Sequence, residues 1–468
     1  MFGINLKSEF VKNTGHIGIS TIIQNILSYL IIILISRYLG AEGLGQYSFI
    51  FAFVGIFFIF SDFGLSQLLI KDLAKDESKI NKYISNILSL KILLLIVCFI
   101  IYFALIFFIG KHEIIIAMII AGIAQIMAQL SQPLFSLGRV KHKSKTVGIA
   151  LIIERLLTLI FSFYTIIILK NLNLFLIGYL IAHIIRIIWL FLNTKKYFKF
   201  TFGINKKYIL SLIKKSYPFL LVASFAFIYV QMDTIMLSLI NGDIVTGWYN
   251  APYKLINLLN IIPATLLMFG FPLFSKLFSR NKEKAKKLLE KILQYSLVLI
   301  LPIVVGVFFL GYRILEFVYK FGSVESFIAF KILIVATIFI FLTTILGQFI
   351  ASADKQLVFA KIAGVGAVIN IILNFTLIPK YSLYGAGIAT LTSYLVMFIL
   401  MFIYVKKNLV KFKFFKLLIM PLVGCLAVGI ILNNIINLQL FLIILICAVV
   451  YALILVCCEL LKKKIILS

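Results

Sequence analysis

The chain has 468 residues, of which 63% are hydrophobic and only 13% charged, with a mean hydropathy of +1.14. No soluble core absorbs that much apolar surface, so a soluble globular domain is excluded and an all-α polytopic membrane protein is expected. The net charge of +29 is read as a cytoplasmic excess of Lys and Arg rather than a nucleic-acid footprint, and no nucleic-acid partner is expected.

The chain opens MFGINLKSEFVKNTG, without an apolar stretch followed by a small-residue cleavage site. The first span is therefore expected to act as the insertion signal. Apolar segments of about 20 residues, the length a helix needs to cross roughly 30 Å of hydrocarbon, then recur about fourteen times. They are predicted at 17–37, 44–63, 84–109, 114–136, 146–168, 174–194, 216–240, 252–274, 292–310, 327–351, 357–378, 385–405, 415–435 and 438–461. With the N-terminus inside, 34 of the 45 Lys and Arg residues fall on inside segments and six on outside ones; five lie in spans or at their edges. The alternation holds through every loop, which predicts an even number of spans, both termini cytoplasmic, and a multi-pass protein of the plasma or inner membrane.

The longest and most basic connection, 195–215, separates six spans from eight. Across it Ser36, Gly40, Gly45 and Tyr47 match Ser238, Gly242, Gly247 and Tyr249 at one fixed offset. This predicts two parallel six-helix lobes around a central cavity, 1–200 and 201–410, with 411–468 supplying two additional helices.

Polar groups inside spans are costly and are functional candidates by default. In chain order, span one carries Ser20, Gln24 and Ser28, and span four Gln125, Gln129 and Gln132. Span five carries Glu154 and Arg155, followed by Thr158 and Ser162, and span six carries Tyr179, His183 and Arg186. Asp233 lies in span seven. Asn250, Lys254 and Asn257 precede or enter span eight, Lys331 opens span ten, and Asn370 and Asn374 share a face of span eleven. Arg155, Arg186, Lys254 and Lys331 suggest a cationic cavity suited to a phosphate-bearing substrate. Gln24, Gln129, Tyr179, Asn250, Asn257, Asn370 and Asn374 would give it a polar lining. Asp233, Glu154 and His183 are candidate ion-coupling groups. Glu154 and Arg155 are adjacent and do not share a helix face, so each is expected to need a partner on another helix. Lys91 and Asp62 are expected to be interfacial. Pro263 should kink span eight. The bland alternatives are long side chains snorkelling to water and amides bonding helices together.

The five cysteines all fall in apolar spans without a CxxC pair, and the four histidines form no metal motif. No metal, cofactor or catalytic residue is expected, and no GxxxxGK[ST] signature for ATP is present.

Four stretches carry a family resemblance: 35–76 (ISRYLGAEGLGQYSFIFAFVGIFFIFSDFGLSQLLIKDLAKD), 231–256 (QMDTIMLSLINGDIVTGWYNAPYKLI), 271–277 (FPLFSKL) and 370–395 (NIILNFTLIPKYSLYGAGIATLTSYL). They resemble the polysaccharide exporter and O-antigen flippase branch of the multidrug/oligosaccharidyl-lipid/polysaccharide superfamily. Fourteen spans rather than twelve also resemble its peptidoglycan-precursor branch. The resemblance implies two six-helix lobes, a V-shaped cavity and alternating access. It implies movement of a polyprenyl-phosphate- or pyrophosphate-linked oligosaccharide to the outer leaflet, with glycan polymerase or ligase proteins as partners. It also implies that Asp62, Asp233 and Lys254, which fall in the matching segments, are functional. A multidrug or cation exporter of the same superfamily is the first alternative, a membrane glycosyltransferase the second and a scaffold for glycan assembly the third.

Overall fold

The computed structural model describes residues 5–73, 80–141, 143–198, 206–435 and 438–467. Lys75, Lys79, Lys199 and the centre of the basic connection at 199–205 lie outside the described residues. The elements are helices α1 (Asn5–Asp62), α2 (Leu65–Leu73), α3 (Ile80–Ile106), α4 (Ile115–Val140), α5 (Ser144–Ser162), α6 (Leu172–Thr194) and α7 (Lys206–Ile240). They continue as α8 (Asp243–Leu259), α9 (Ile261–Arg280), α10 (Lys282–Tyr319), α11 (Val324–Ser352), α12 (Gln356–Tyr404), α13 (Phe414–Ile435) and α14 (Leu440–Leu467). No strand occurs among the described residues.

Helix is what hydrocarbon demands, because it satisfies each backbone N–H and C=O within one segment. Eleven described helical stretches are long and apolar enough to cross a membrane, two of them running 47 and 54 residues. These two are double spans. The first turns at Gly40 (φ 69°, ψ −165°) and the second at Ser382 (φ 52°, ψ −132°). Both turns fall between predicted spans. With α14 added, whose apolar part is shorter, the predicted fourteen crossings are all accounted for. Span eight is α8 and α9 together. The predicted kink appears as a break at Asn260, because the Pro263 ring has no N–H to give the Leu259 carbonyl and crowds it.

Helices α7 and α10 each begin about ten residues before the predicted span. Their opening turns carry Lys214 and Lys215, and Lys282, Lys284, Lys286 and Lys287. Hydropathy marks where hydrocarbon starts, whereas the hydrogen-bond ladder runs on into water. Asn281 starts α10, its Oδ1 accepting from the Lys284 N–H at 3.0 Å.

The chain forms two compact units, Met1–Leu239 and Ile240–Ser468. The core of the first holds Phe49, Phe53, Phe58, Tyr102 and Phe175, with the Tyr102 hydroxyl donating to the Met118 carbonyl at 2.6 Å. Helix α7 packs in this unit, its Ile235 joining the same core. In the second unit α13 and α14 pack on α10 through Leu310, Val428, Leu432 and Tyr451, and the Tyr451 hydroxyl donates to the Val298 carbonyl at 2.9 Å. Exposed Ile100, Phe163, Ile419 and Phe441 lie on outer faces, the surface a bilayer solvates. Cys98, Cys425 and Cys447 are free thiols.

Lys91 and Asp62, both near predicted span ends, form a buried ion pair: the Lys91 side chain is fully buried and its Nζ lies 2.5 Å from Asp62 Oδ1, which also accepts from Ser66 Oγ at 2.5 Å. The ion pair ties the end of α1 to α3. Sequence marks each residue as close to a span end, but not that the two span ends meet.

Gly40 and Gly242 (φ 88°, ψ 175°) adopt matching conformations, and Ser36 and Ser238 are both buried. That region of φ/ψ space is open essentially to glycine alone. A Cβ at either glycine meets nothing within 4 Å, so the cost of one is backbone strain and not a clash. Gly40→Ala and Gly242→Ala should each destabilise by about 1–3 kcal/mol. Gly306→Ala, helical and equally uncrowded, should be neutral or stabilising by up to about 1 kcal/mol. Thermal unfolding of the purified protein in detergent checks the contrast, and equal effects at all three positions would contradict it.

Candidate functional site

The structure brings five of the predicted site residues together in the first unit, on α5 and α6. Glu154 is fully buried at the centre. Its Oε2 is paired with Arg186 Nη1 across the helix pair. Its Oε1 lies 3.4 Å from Arg155 Nε and 3.6 Å from His183 Nε2. Tyr179, one turn before His183, completes the group: its ring centroid is 5.9 Å from the Arg155 guanidinium carbon and 4.2 Å from the imidazole.

Local sequence explains the α6 contribution. Tyr179, His183 and Arg186 stand at i, i+4 and i+7, one face of the helix. On α5 each of the adjacent pair has a partner on another helix, as predicted: Glu154 has Arg186 and Arg155 has Tyr179. Arg155 also reaches its own neighbour, Glu154. Successive side chains leave a helix about 100° apart, but a flexible arginine bends back across that angle to a buried carboxylate.

Arg186 is held further by α4. Its Nη2 donates to Ser131 Oγ at 2.7 Å and to the Ala128 carbonyl at 3.2 Å. Sequence reading missed Ser131 and Ala128. The available signal was Pro133, which withdraws the N–H that would bond the Gln129 carbonyl and so loosens the helix here. Gln129 is half-buried on the same turn, and its buried Oε1 accepts no hydrogen bond. Arg155 keeps the most exposed side chain of the charged members, at 21% against 8% for Arg186 and 0% for Glu154. With His183 neutral, two guanidinium groups face one carboxylate, and the cluster is net cationic.

Other predicted polar positions are satisfied by their own helices. Ser20, Ser28, Thr158 and Ser162 donate to carbonyls three or four residues back at 2.6–2.8 Å. Gln24 is half-buried, and its own carbonyl accepts from Ser28. Asp233 is fully buried on α7.

In the second unit, Asn250 is buried on α8 and its Nδ2 donates to the Thr246 carbonyl at 3.0 Å. Half-buried Lys254 and exposed Asn257 follow at i+4 and i+7 on the same face. Lys331 Nζ sits over the Phe327 ring at 4.2 Å and the Phe308 ring at 5.8 Å. Asn370 and Asn374 are fully buried, the Nδ2 of Asn374 donating to the Oδ1 of Asn370 at 3.0 Å. The second amide atom of each, Asn370 Nδ2 and Asn374 Oδ1, has no hydrogen-bond partner. No group of three or more potential metal ligands occurs among the described residues.

Removing Glu154 would strand two guanidinium groups inside the bundle. Glu154→Ala is expected to destabilise the purified protein by about 3–5 kcal/mol, and Arg155→Ala by less. Combining Glu154→Ala with Arg186→Ala should fall short of the summed single losses by at least ~1 kcal/mol. Unfolding in detergent measures the cycle, and strictly additive losses would deny that the two residues act as a pair.

A family model described as "Polysaccharide biosynthesis protein" matches residues 10–278, and one described as "Lipid II flippase MurJ" matches residues 149–457. Capsular polysaccharide biosynthesis protein CapF of Staphylococcus aureus is 23% identical over 404 residues, 85% of this chain and 99% of its own length. A solved structure of lipid II flippase MurJ in an inward closed conformation matches with a TM-score of 0.78 at 17% identity, over 96% of this chain and 99% of that one. An inward-facing multidrug resistance MATE family transporter of the MOP superfamily matches with a TM-score of 0.66 at 13% identity, over 82% and 94% of the two chains. At these identities the two structures speak for the fold alone.

Proposed function

We propose, for a chain that belongs to the polysaccharide biosynthesis protein family, that it is a flippase moving a polyprenyl-phosphate- or pyrophosphate-linked oligosaccharide from the cytoplasmic to the outer leaflet. The observation that carries this reading is the Glu154–Arg155–His183–Arg186 cluster inside membrane-spanning helices. Charges at that depth are retained for work on a polar cargo, and the excess of arginine suits an anion. Arg155 offers a planar fork that matches phosphate, and its side chain is the one partly exposed. The lipid tail stays in the bilayer while the head group crosses by alternating access. The overlapping matches to polysaccharide and lipid II flippase models support the same substrate class.

The finer assignments belong to this reading. Arg155 and Arg186, with Lys254 and Lys331, bind the phosphate. Gln24, Gln129, Tyr179, Asn250, Asn257, Asn370 and Asn374 give the cavity its polar lining. Glu154, His183 and Asp233 couple an ion. The chain works as repeats 1–200 and 201–410 with 411–468 appended, in the plasma or inner membrane with both termini cytoplasmic. Glycan polymerase or ligase proteins consume its product. In place of nucleotide hydrolysis, an ion gradient, membrane potential or downstream consumption supplies the driving force.

The MATE-type fold keeps multidrug or cation export as the second reading. It requires a site of opposite sign, and the cluster carries two arginines to one carboxylate. Expression in a strain lacking a lipid-linked oligosaccharide flippase distinguishes the two. The native chain should restore surface glycan. Arg155→Ala at matched membrane levels should cut export about 10–100-fold, the worth of one charge-assisted phosphate contact. Restored glycan unaffected by Arg155→Ala would keep the flippase and remove the site, whereas dye export without glycan would favour the second reading.

A further inference from the structure

His183 Nδ1 lies 3.0 Å from the carbonyl oxygen of Tyr179. A carbonyl has no proton to give, so Nδ1 bears the hydrogen and donates it. In a neutral ring Nε2 then carries a lone pair. Nε2 faces Glu154 Oε1 at 3.6 Å, and that buried oxygen accepts no hydrogen bond; its other neighbour is Arg155 Nε at 3.4 Å. Two acceptor atoms confront each other in a buried site, which is unfavourable until one of them is protonated.

We propose that Glu154 Oε1 and His183 Nε2 together bind one proton, and that its arrival releases the Arg155 guanidinium to an anionic phosphate. The second half rests on the phosphate-bearing substrate proposed above. The geometry divides the carboxylate between two clients. Oε2 belongs to Arg186, which Ser131 and the Ala128 carbonyl also hold. Oε1 is contested by His183 and Arg155. An O–H bond of a hydronium ion breaks, leaving water, as its proton forms an N–H bond at Nε2; no bond within the protein breaks. The imidazolium then donates to the Tyr179 carbonyl through Nδ1 and faces Oε1 with its second N–H. Arg155 loses its claim on that oxygen, and being the most exposed member it is the one free to turn outward.

The charged and titratable groups facing this site are Glu154 and Arg155 from α5, and Tyr179, His183 and Arg186 from α6. Tyr47, from the second half of α1, lies within electrostatic reach of Arg155 and Tyr179. Helix α4 presents a hydroxyl and a carbonyl, Ser131 and Ala128. Arg155 and Arg186 oppose protonation and Glu154 favours it. An anion placed on Arg155 removes one opponent. Proton and anion therefore bind with positive coupling, and by linkage each strengthens the other.

The test uses the full chain in detergent, with inorganic pyrophosphate as the probe. In ¹⁵N-histidine-labelled protein, the His183 signals are assigned by their loss in His183→Asn. At high pH they should show Nδ1 protonated and Nε2 bare, and pyrophosphate should convert the ring to the doubly protonated form. In lightly buffered solution one proton should be taken up per pyrophosphate bound, and affinity should rise about tenfold per pH unit lowered across that transition. Glu154→Gln should bind pyrophosphate without taking up a proton, and His183→Asn provides a second variant with the same expectation. A neutral ring protonated on Nε2 would overturn the proton site. Pyrophosphate binding with no proton uptake, or ring titration with no pyrophosphate binding, would overturn the coupling. Neither measurement depends on transport, so a chain that fails to flip lipid in liposomes yet passes both would lose the flippase reading and keep this one.

Discussion

In hydrocarbon no water is available to a backbone N–H or C=O, and each group left unpaired costs several kcal/mol. Most of this architecture follows from that constraint. The chain is helical wherever it is apolar, and its breaks are few and chemically specific. Gly40 and Gly242 turn through a conformation that side chains resist. Asn260 interrupts span eight where Pro263 cannot donate. Between such points the helices run long enough that several extend past the bilayer into water.

The same dry medium sets the terms for charge, and the chain meets them in three ways. Lys91 is buried against Asp62, a pair that joins two helices at one membrane face. Lys331 rests on the faces of Phe327 and Phe308, whose electron-rich rings replace part of its hydration. Arg155 and Arg186 share Glu154, which cannot fully satisfy both. The first two solutions are complete in themselves. The third leaves an excess of positive charge, a carboxylate oxygen accepting no hydrogen bond and a histidine beside it. That imbalance is what an anionic head group crossing the membrane would need to meet.

Family membership and the cluster support each other from independent directions. The family models identify a polysaccharide-handling membrane protein from the pattern of the whole chain. The cluster carries two arginines to one carboxylate, a balance that suits the anionic cargo proposed. The MATE neighbours share the fold, but fold alone does not choose between a cation and a phosphate.

Hydropathy placed the apolar helices, because length and apolarity are properties of a contiguous segment and the bilayer reads them segment by segment. Gly40 and Gly242 were legible for the same reason, being required by local backbone geometry. The stripe Tyr179, His183, Arg186 was also legible, since helical periodicity puts those side chains on one face. What sequence could not supply was pairing between segments. Nothing in the spacing pairs Lys91 with Asp62, and Ser131 carries no mark of its contact with Arg186. Nor could spacing foresee that Arg155 turns back to Glu154, because that depends on which side of α5 is packed and which is open. The sequence by itself determined the apolar spans and their polar faces, which depend on local chemistry alone. Only the tertiary structure decided which charges meet, because in a low-dielectric interior the worth of a charge is set by partners distant in the chain.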